Sequence, residues 1–523
     1  MTGTWLFVRA FLRRDRWLLL WWSLGIAFLY WSQAISVDGL YETQEEFDRA
    51  AASMSSNAGF VAMAGPARAL NTVGGQVAWQ SAAFGAVMAG LMSMFLVARH
   101  TRTEEETGRD ELLRAAAVGR LATTVAATFV MVIANAAVGA AVALSLALYP
   151  LATADSVALG VGVGLCGAWF GAVALAAAQL TSTSRATYGV TGGVIALAYA
   201  LRAIGDVGTP ALSWLSPIGW YQAMHAFSGL RWWPALLLVA ATAVTLVAAS
   251  VVFQRRDYGA GVIAARPGPP RAAARLHRPA GLAWRLQRGT VLGWLGGMFL
   301  GGVGYGTLGE DVDSLLGDSD LAQEMFVQSG GTLVDAFYAT MILMLAVIGA
   351  GFSISSALRP RAEEEAGRVE ALLATGLRRR DWLLGHVAVT VLGSAAMLAV
   401  AGLGVGLGYA LVTGDQGAVL DYLLPTLSHL PSVLLLAAFA RLLSGIEPRA
   451  GFGAWLLLLY CLVVLMFGEV LQMPGWLRDL SPFQHQPLLP AEDVAWLPLG
   501  LLSLVAVALS AAGQLAFARR DLR

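Results

Sequence analysis

Apolar stretches about as long as a bilayer is thick recur along this whole chain, separated by short polar segments. A helix needs roughly 20 consecutive apolar residues to cross the hydrocarbon core. Twelve stretches approach or exceed that length: 17–36, 77–98, 121–149, 156–180, 187–204, 234–253, 289–308, 333–358, 382–412, 419–443, 451–471 and 494–517. The pattern predicts an all-α polytopic membrane protein with about twelve transmembrane helices. Two spans are irregular, because Arg202 falls within 187–204 and Pro425 and Pro431 interrupt 419–443. The basic run from Arg9 to Arg16 before the first apolar stretch has the outline of a signal peptide. That apolar run is too long for one and further spans follow, so it reads as an uncleaved first span.

The polar segments orient the spans. Arginine gathers in cytoplasmic loops. With both termini cytoplasmic, 29 arginines lie inside and five outside, namely Arg49, Arg68, Arg202, Arg231 and Arg478. The sequence therefore predicts a multi-pass protein of a bacterial inner membrane with cytoplasmic termini.

The polar segments also repeat. Glu104-Glu105-Glu106-Thr107-Gly108-Arg109-Asp110-Glu111-Leu112-Leu113 follows the second span, and Glu363-Glu364-Glu365-Ala366-Gly367-Arg368-Val369-Glu370-Ala371-Leu372 follows the eighth, with seven of ten positions identical. Arg185-Ala186-x-x-Gly189 returns as Arg449-Ala450-x-x-Gly453, and Leu215-Ser216-Pro217 as Leu480-Ser481-Pro482. The halves end alike, in Phe253-x-Arg255-Arg256-Asp257 and Phe517-x-Arg519-Arg520-Asp521. Four ordered matches at nearly constant offset argue for a duplicated six-span unit. Six is even, so the two repeats are parallel. The division expected is a first half over 1–258, an Arg/Pro-rich cytoplasmic linker over 259–281 and a second half over 282–523.

Composition narrows the chemistry. The 523 residues are 57% hydrophobic and only 13% charged, whereas an ordinary soluble domain is about one-quarter charged. All 34 basic residues are arginine. Without lysine the chain has no Walker A loop of its own and no Schiff-base lysine. Cys166 and Cys461 each sit in an apolar stretch and read as packed small hydrophobes. No cofactor, metal or catalytic set is expected, and no nucleic-acid partner.

The acidic loops are the most specific signal. Clustered glutamates near a helix N-terminus suit its dipole. Glu105 with Arg109, and Glu364 with Arg368, are spaced for i,i+4 ion pairs. One continuous short helix is expected over 104–117 and another over 363–374. A single such helix could be a solvated face held by its own charges. Two copies on one membrane side point to a docking surface for a paired partner, formed by Glu104, Glu105, Glu106, Gly108, Arg109 and Glu111 with Glu363, Glu364, Glu365, Gly367, Arg368 and Glu370. At membrane depth the polar residues are Gln80, Asn135, His429 and Glu469. Such groups line a substrate path or bond across to a neighbouring helix.

These features together resemble the fused twelve-span permeases of bacterial ABC exporters of the polyketide-antibiotic type. The Glu-Glu-x-x-Gly-Arg-x-Glu loops, the Leu-Ser-Pro segments and the Arg-rich half-ends carry the likeness over nearly the full chain. It implies coupling helices at 104–114 and 363–373 that seat in two separate ATP-binding subunits, with ATP and Mg on those partners. It also implies export, with antibiotics among the cargo, and a mostly apolar lining with scattered Ser, Thr and Trp suits a hydrophobic or amphipathic molecule. The copies differ at Thr107/Ala366 and Asp110/Val369, so the two contacts need not be equivalent. The alternative is a secondary transporter of two six-span halves driven by an ion gradient. It would require paired acids and bases at membrane depth, and the spans show no obvious relay of that kind.

Overall fold

The computed structural model describes residues 2–41, 43–56, 58–108, 118–257, 259–263, 270–308, 333–468 and 473–520. Every regular element among them is helical. The chain divides into two compact units, Met1–Gly268 and Pro269–Arg523. Eleven described helices are long and apolar enough to cross a membrane, so the protein is an all-α polytopic membrane protein.

In the first unit the long helices are α1 (Thr4–Asp38), α4 (Val73–His100), α6 (Ala122–Leu148), α7 (Thr153–Leu180), α8 (Ser184–Val207) and α11 (Trp233–Arg255). Shorter helices lie between them: α2 (Gln44–Ser56), α3 (Ala58–Ala64), α5 (Arg102–Glu106), α9 (Pro210–Ser213) and α10 (Pro217–Gln222). The most apolar windows of α4 and α7 are 72% buried, against 17% for α11. Glycine and alanine along α4 and α7 let neighbouring backbones approach, which is how helices associate where lipid supplies no hydrophobic drive. α11 instead turns Leu236, Val239, Val244 and Val247 outward, as a lipid-facing helix should. Thr72 caps α4 by accepting from the Gly75 amide, and Thr183 caps α8 by accepting from Ala186.

The second unit runs α12 (Pro279–Gly306), α13 (Leu333–Ala357), α14 (Arg359–Glu365), α15 (Arg368–Leu373), α16 (Arg379–Thr413), α17 (Leu423–Ser428), α18 (Leu430–Ile446), α19 (Gly453–Phe467), α20 (Gly475–Arg478) and α21 (Trp496–Arg519). The prolines of 419–443 divide that stretch into α17 and α18, with Pro431 in the first turn of α18, where its missing N–H costs nothing. α12 covers the expected seventh span. Nine of its 28 residues are glycine, which dilutes its hydropathy below that of the eleven. Those glycines have a packing use. A Cβ on Gly302 or Gly306 would strike the Ala401 or Val405 carbonyl of α16, and one on Gly404 or Gly408 the Phe299 or Val303 carbonyl of α12. Two G-x-x-x-G faces thus meet backbone to backbone.

Candidate functional site

Each acidic segment sits where a long helix ends, and glycine shapes it. The expected continuous helices over 104–117 and 363–374 are not what forms. α14 stops at Glu365, and Gly367 takes a left-handed φ of +67° before α15 begins. In the first unit α5 stops at Glu106 and Gly108 takes φ +71°. Arg109 and Glu111 lie outside the described residues. Left-handed backbone is cheap only for glycine, so the repeated Gly108 and Gly367 end a helix instead of sitting inside one. A Cβ at either would meet nothing within 4 Å. Both turns therefore present bare backbone to their surroundings.

The break rearranges the charges. The expected Glu364–Arg368 pair is absent. Arg368 donates through Nε to Glu363 at 2.6 Å, and Arg359 reaches the same carboxylate at 2.5 Å. Glu364 accepts both terminal nitrogens of Arg520, at 2.8 and 2.5 Å. In the first unit Glu105 accepts Arg102 at 2.6 Å and Arg256 at 2.5 Å. Glu105 and Glu364 occupy the same place in the repeated loop, and Arg256 and Arg520 the same place in the repeated half-end. The two motifs are thus partners within each unit, because the last helix of each unit returns to the end where its acidic segment lies.

The remaining contacts differ between units. Glu104 pairs with Arg14 of α1 at 2.7 Å, and Glu106 accepts the Ser184 amide and hydroxyl at the start of α8. Glu365 pairs with Arg361 at 2.7 Å. Val369 anchors α15 in an apolar cluster with Trp382, Leu383 and Phe517, leaving Gly367, Arg368 and Glu370 exposed.

Sequence reasoning missed a neighbouring polar cluster. Asp15 of α1, its side chain fully buried, bonds His100 at the end of α4. Arg14 approaches the other ring nitrogen at 3.1 Å, and Phe11 stacks on the ring at 4.0 Å. Both residues lie just beyond the predicted spans 17–36 and 77–98, so neither registered at membrane depth. In the second unit α12 carries Gln287 against His386, with Ser356 donating to the Gln287 carbonyl oxygen at 2.7 Å.

Three of the four polar residues expected at membrane depth lie among the described residues. Asn135 is buried and donates to Ser93 of α4 at 2.8 Å and to the Met131 carbonyl at 2.9 Å. His429 is fully buried at the joint between α17 and α18 and bonds Gln486. Gln486 in turn donates to Ser432 at 2.5 Å. Gln80 on α4 is half-buried, and Glu469 lies outside the described residues. Each Leu-Ser-Pro segment starts a short turn of helix. The Ser216 hydroxyl donates to the Ala198 carbonyl at 2.7 Å and accepts the Ile218 amide, and the Pro482 carbonyl accepts from Ser432 at 2.9 Å. Among the described residues no three His, Cys, Asp or Glu side chains gather as a metal site requires.

The family described as the C-terminal domain of multidrug efflux system permease Rv1217c matches residues 276–518. The multidrug efflux system permease protein Rv1217c of Mycobacterium tuberculosis (strain ATCC 25618 / H37Rv) is 38% identical over 530 residues, spanning 100% of this chain and 96% of the relative.

Proposed function

The chain belongs to the family of the multidrug efflux system permease Rv1217c, and we propose that it is the membrane-spanning subunit of an ATP-driven exporter of hydrophobic or amphipathic drugs. It is a transport subunit, and ATP hydrolysis falls to two copies of a separate polypeptide that holds ATP and Mg. Its architecture is that of the polyketide-antibiotic type of ABC exporter, with α12 as the seventh of twelve spans, two parallel six-helix halves over 1–258 and 282–523 and a cytoplasmic linker between them. The bacterial inner membrane holds it, with both termini and both acidic segments cytoplasmic.

One observation carries the reading. In each unit a glycine turn of bare, positive-φ backbone is held by a glutamate that the last helix of that unit clamps through arginine. A partner that closes against such a turn pulls on a rigid lever, because a buried charged contact does not slip as a solvated one does. Rigid-body switching between two packed states then links closure of the ATPase to opening of the translocation path. Gln80, Asn135, His429 and Glu469 remain the proposed polar positions of that path, Gln80 foremost for its partial exposure.

The Asp15–His100 pair is the observation that favours the gradient-driven alternative, since paired acids and bases are what proton coupling requires. Inside-out vesicles separate the two readings. With the ATPase partner present, drug uptake should require ATP, stop with vanadate and persist when a protonophore collapses the gradient. Uptake that ignores ATP and stops with the protonophore would establish the secondary transporter instead.

A further inference from the structure

Five arginines run against the orientation rule, and three of them gather in one place. Arg202 is fully buried, pairs with Asp206 at 3.5 Å and donates to the Met63 carbonyl at 2.9 Å. Arg68 feels the charges of both Asp206 and Arg231. Asp206 is already shared with Arg202 and with the Ser213 hydroxyl at 2.6 Å. Among the described residues no carboxylate lies within ion-pair distance of Arg68, whose guanidinium only grazes the Gln222 carbonyl at 3.5 Å.

Arg68 lines a cavity of about 40 Å³ together with Gly75, Trp79, Gln222, His225 and Ser228, and no Asp or Glu lines it. A water needs roughly 10–15 Å³, so the space admits a carboxylate or phosphate head. Gly75 brings the first turn of α4 to its wall, and the positive end of that helix favours negative charge. The imidazole of His225 shares this cavity with Arg68. Burial, then Arg68 and Arg231, push it down from 6.5 to about 4. The cavity lies at the start of α4, the opposite end of that helix from His100 and the acidic segment, and it touches neither.

We propose that this cavity is a binding site for a single small anionic group, a carboxylate or a phosphate, held by Arg68 against the first turn of α4. Free anions and the phosphodiester of an anionic lipid share that chemistry. In either case the anion supplies a counter-charge in direct contact, which Arg68 does not find among the described residues. The site makes no use of ATP or of the acidic segments, so it stands whatever drives transport.

The test uses the purified full-length chain in non-ionic detergent at constant ionic strength. Acetate and inorganic phosphate are titrated while the thermal midpoint is followed. Wild type and Arg49→Gln, an exposed arginine elsewhere on the same unit, should gain stability in a saturable way. Arg68→Gln should weaken binding by at least ~10-fold, the loss of about 1.4 kcal/mol or more expected of a hydrogen-bonded charge. Should Arg68→Gln fail to fold, Ala226, which also lines the cavity, offers a second variant: Ala226→Leu fills the space without removing charge and should abolish the effect. A parallel arm reconstitutes the chain in phosphatidylcholine vesicles with and without phosphatidylglycerol. Stabilisation by phosphatidylglycerol alone, lost in the same variants, assigns the site to lipid. If neither small anions nor phosphatidylglycerol stabilise wild type more than the Arg68 or Ala226 variants, or if Arg49→Gln loses the effect as well, the proposal fails.

Discussion

Arg520 grips Glu364 with both terminal nitrogens, at 2.8 and 2.5 Å, and so fastens the last helix of the second unit to its acidic segment. Arg256 and Glu105 repeat the contact in the first unit at 2.5 Å. The second unit offers the cleaner test, because Glu105 also holds Arg102. Breaking a buried pair from one side costs roughly 3–5 kcal/mol. With 14% of the Arg520 side chain exposed, the lower end applies. Glu364→Arg and Arg520→Glu should each lower the thermal midpoint of the purified protein. The double exchange should recover a measurable share, and the cycle gives the coupling energy directly. Additive losses with no recovery would mean that the contact holds nothing.

Helix packing in the second unit makes a sterically stricter prediction. Gly302 and Gly306 of α12 face Gly404 and Gly408 of α16 so closely that any Cβ meets a carbonyl. Gly404→Leu or Gly408→Leu should therefore destabilise by more than the ~1–3 kcal/mol of ordinary overpacking, since backbone cannot step aside as a side chain does. Gly500→Leu, which meets nothing within 4 Å on the helix α21, is the control and should be neutral. Denaturation of the detergent-solubilised variants decides it.

His225 gives a pH dependence with a definite sign. Its folded value is pushed down from 6.5 to about 4, so between those two values the unfolded chain binds the extra proton. Stability from this group is full above 6.5 and falls as pH drops toward 4. The residue holds a left-handed φ of +53°, which asparagine tolerates well. His225→Asn should flatten the midpoint-versus-pH curve across that window while leaving the value at pH 8 nearly unchanged. An unchanged slope would show that other groups govern it.

Sidedness follows from the arginine bias and can be read in intact cells. In a background with Cys166 and Cys461 replaced, Thr107→Cys should resist an impermeant maleimide until the membrane is opened. Asp320→Cys, outside the described residues, should label at once. Labelling of the Thr107 site in sealed cells would invert the proposed orientation.

Much of the helical frame was legible in the sequence, because apolar length dominates where the solvent is lipid. The break in 419–443 was visible in Pro425 and Pro431 for the same local reason. The ion pairs were not. Helical spacing joins Glu364 to Arg368, but that inference assumes an unbroken helix, and Gly367 breaks it. Arg520 lies 156 residues from Glu364, a partnership no local rule reaches. A signal was nonetheless present: the acidic loop and the Arg-Arg-Asp half-end recur together, and motifs that recur together are candidates to touch. Asp15 and His100 escaped because the span boundaries were drawn on hydropathy, two residues too tight at each. Gly302-x-x-x-Gly306 and Gly404-x-x-x-Gly408 stood in plain view, and only the pairing of α12 with α16 gave them a meaning.

The glycine turns carry the test of the docking proposal. Gly108 and Gly367 share φ values near +70° and open surroundings, so two consequences of substitution separate there. Any L-residue strains the backbone, by roughly 1 kcal/mol, whether or not a partner is present. Only a large side chain obstructs a partner that approaches the bare turn. Asparagine, which accepts the left-handed conformation best, therefore isolates the first effect, and tryptophan adds the second. Gly108→Asn with Gly367→Asn should bind the ATPase and export nearly as wild type does. Gly108→Trp with Gly367→Trp should remain in the membrane at normal abundance yet lose co-purifying ATPase or uncouple hydrolysis from drug export. The two turns differ in their neighbours, Thr107 against Ala366, so the single tryptophan variants should differ in severity. A double tryptophan variant that retains a full complement of ATPase and exports at the wild-type rate would leave the two acidic segments as solvated helix ends held by their own arginines, and the ATPase would have to seat elsewhere.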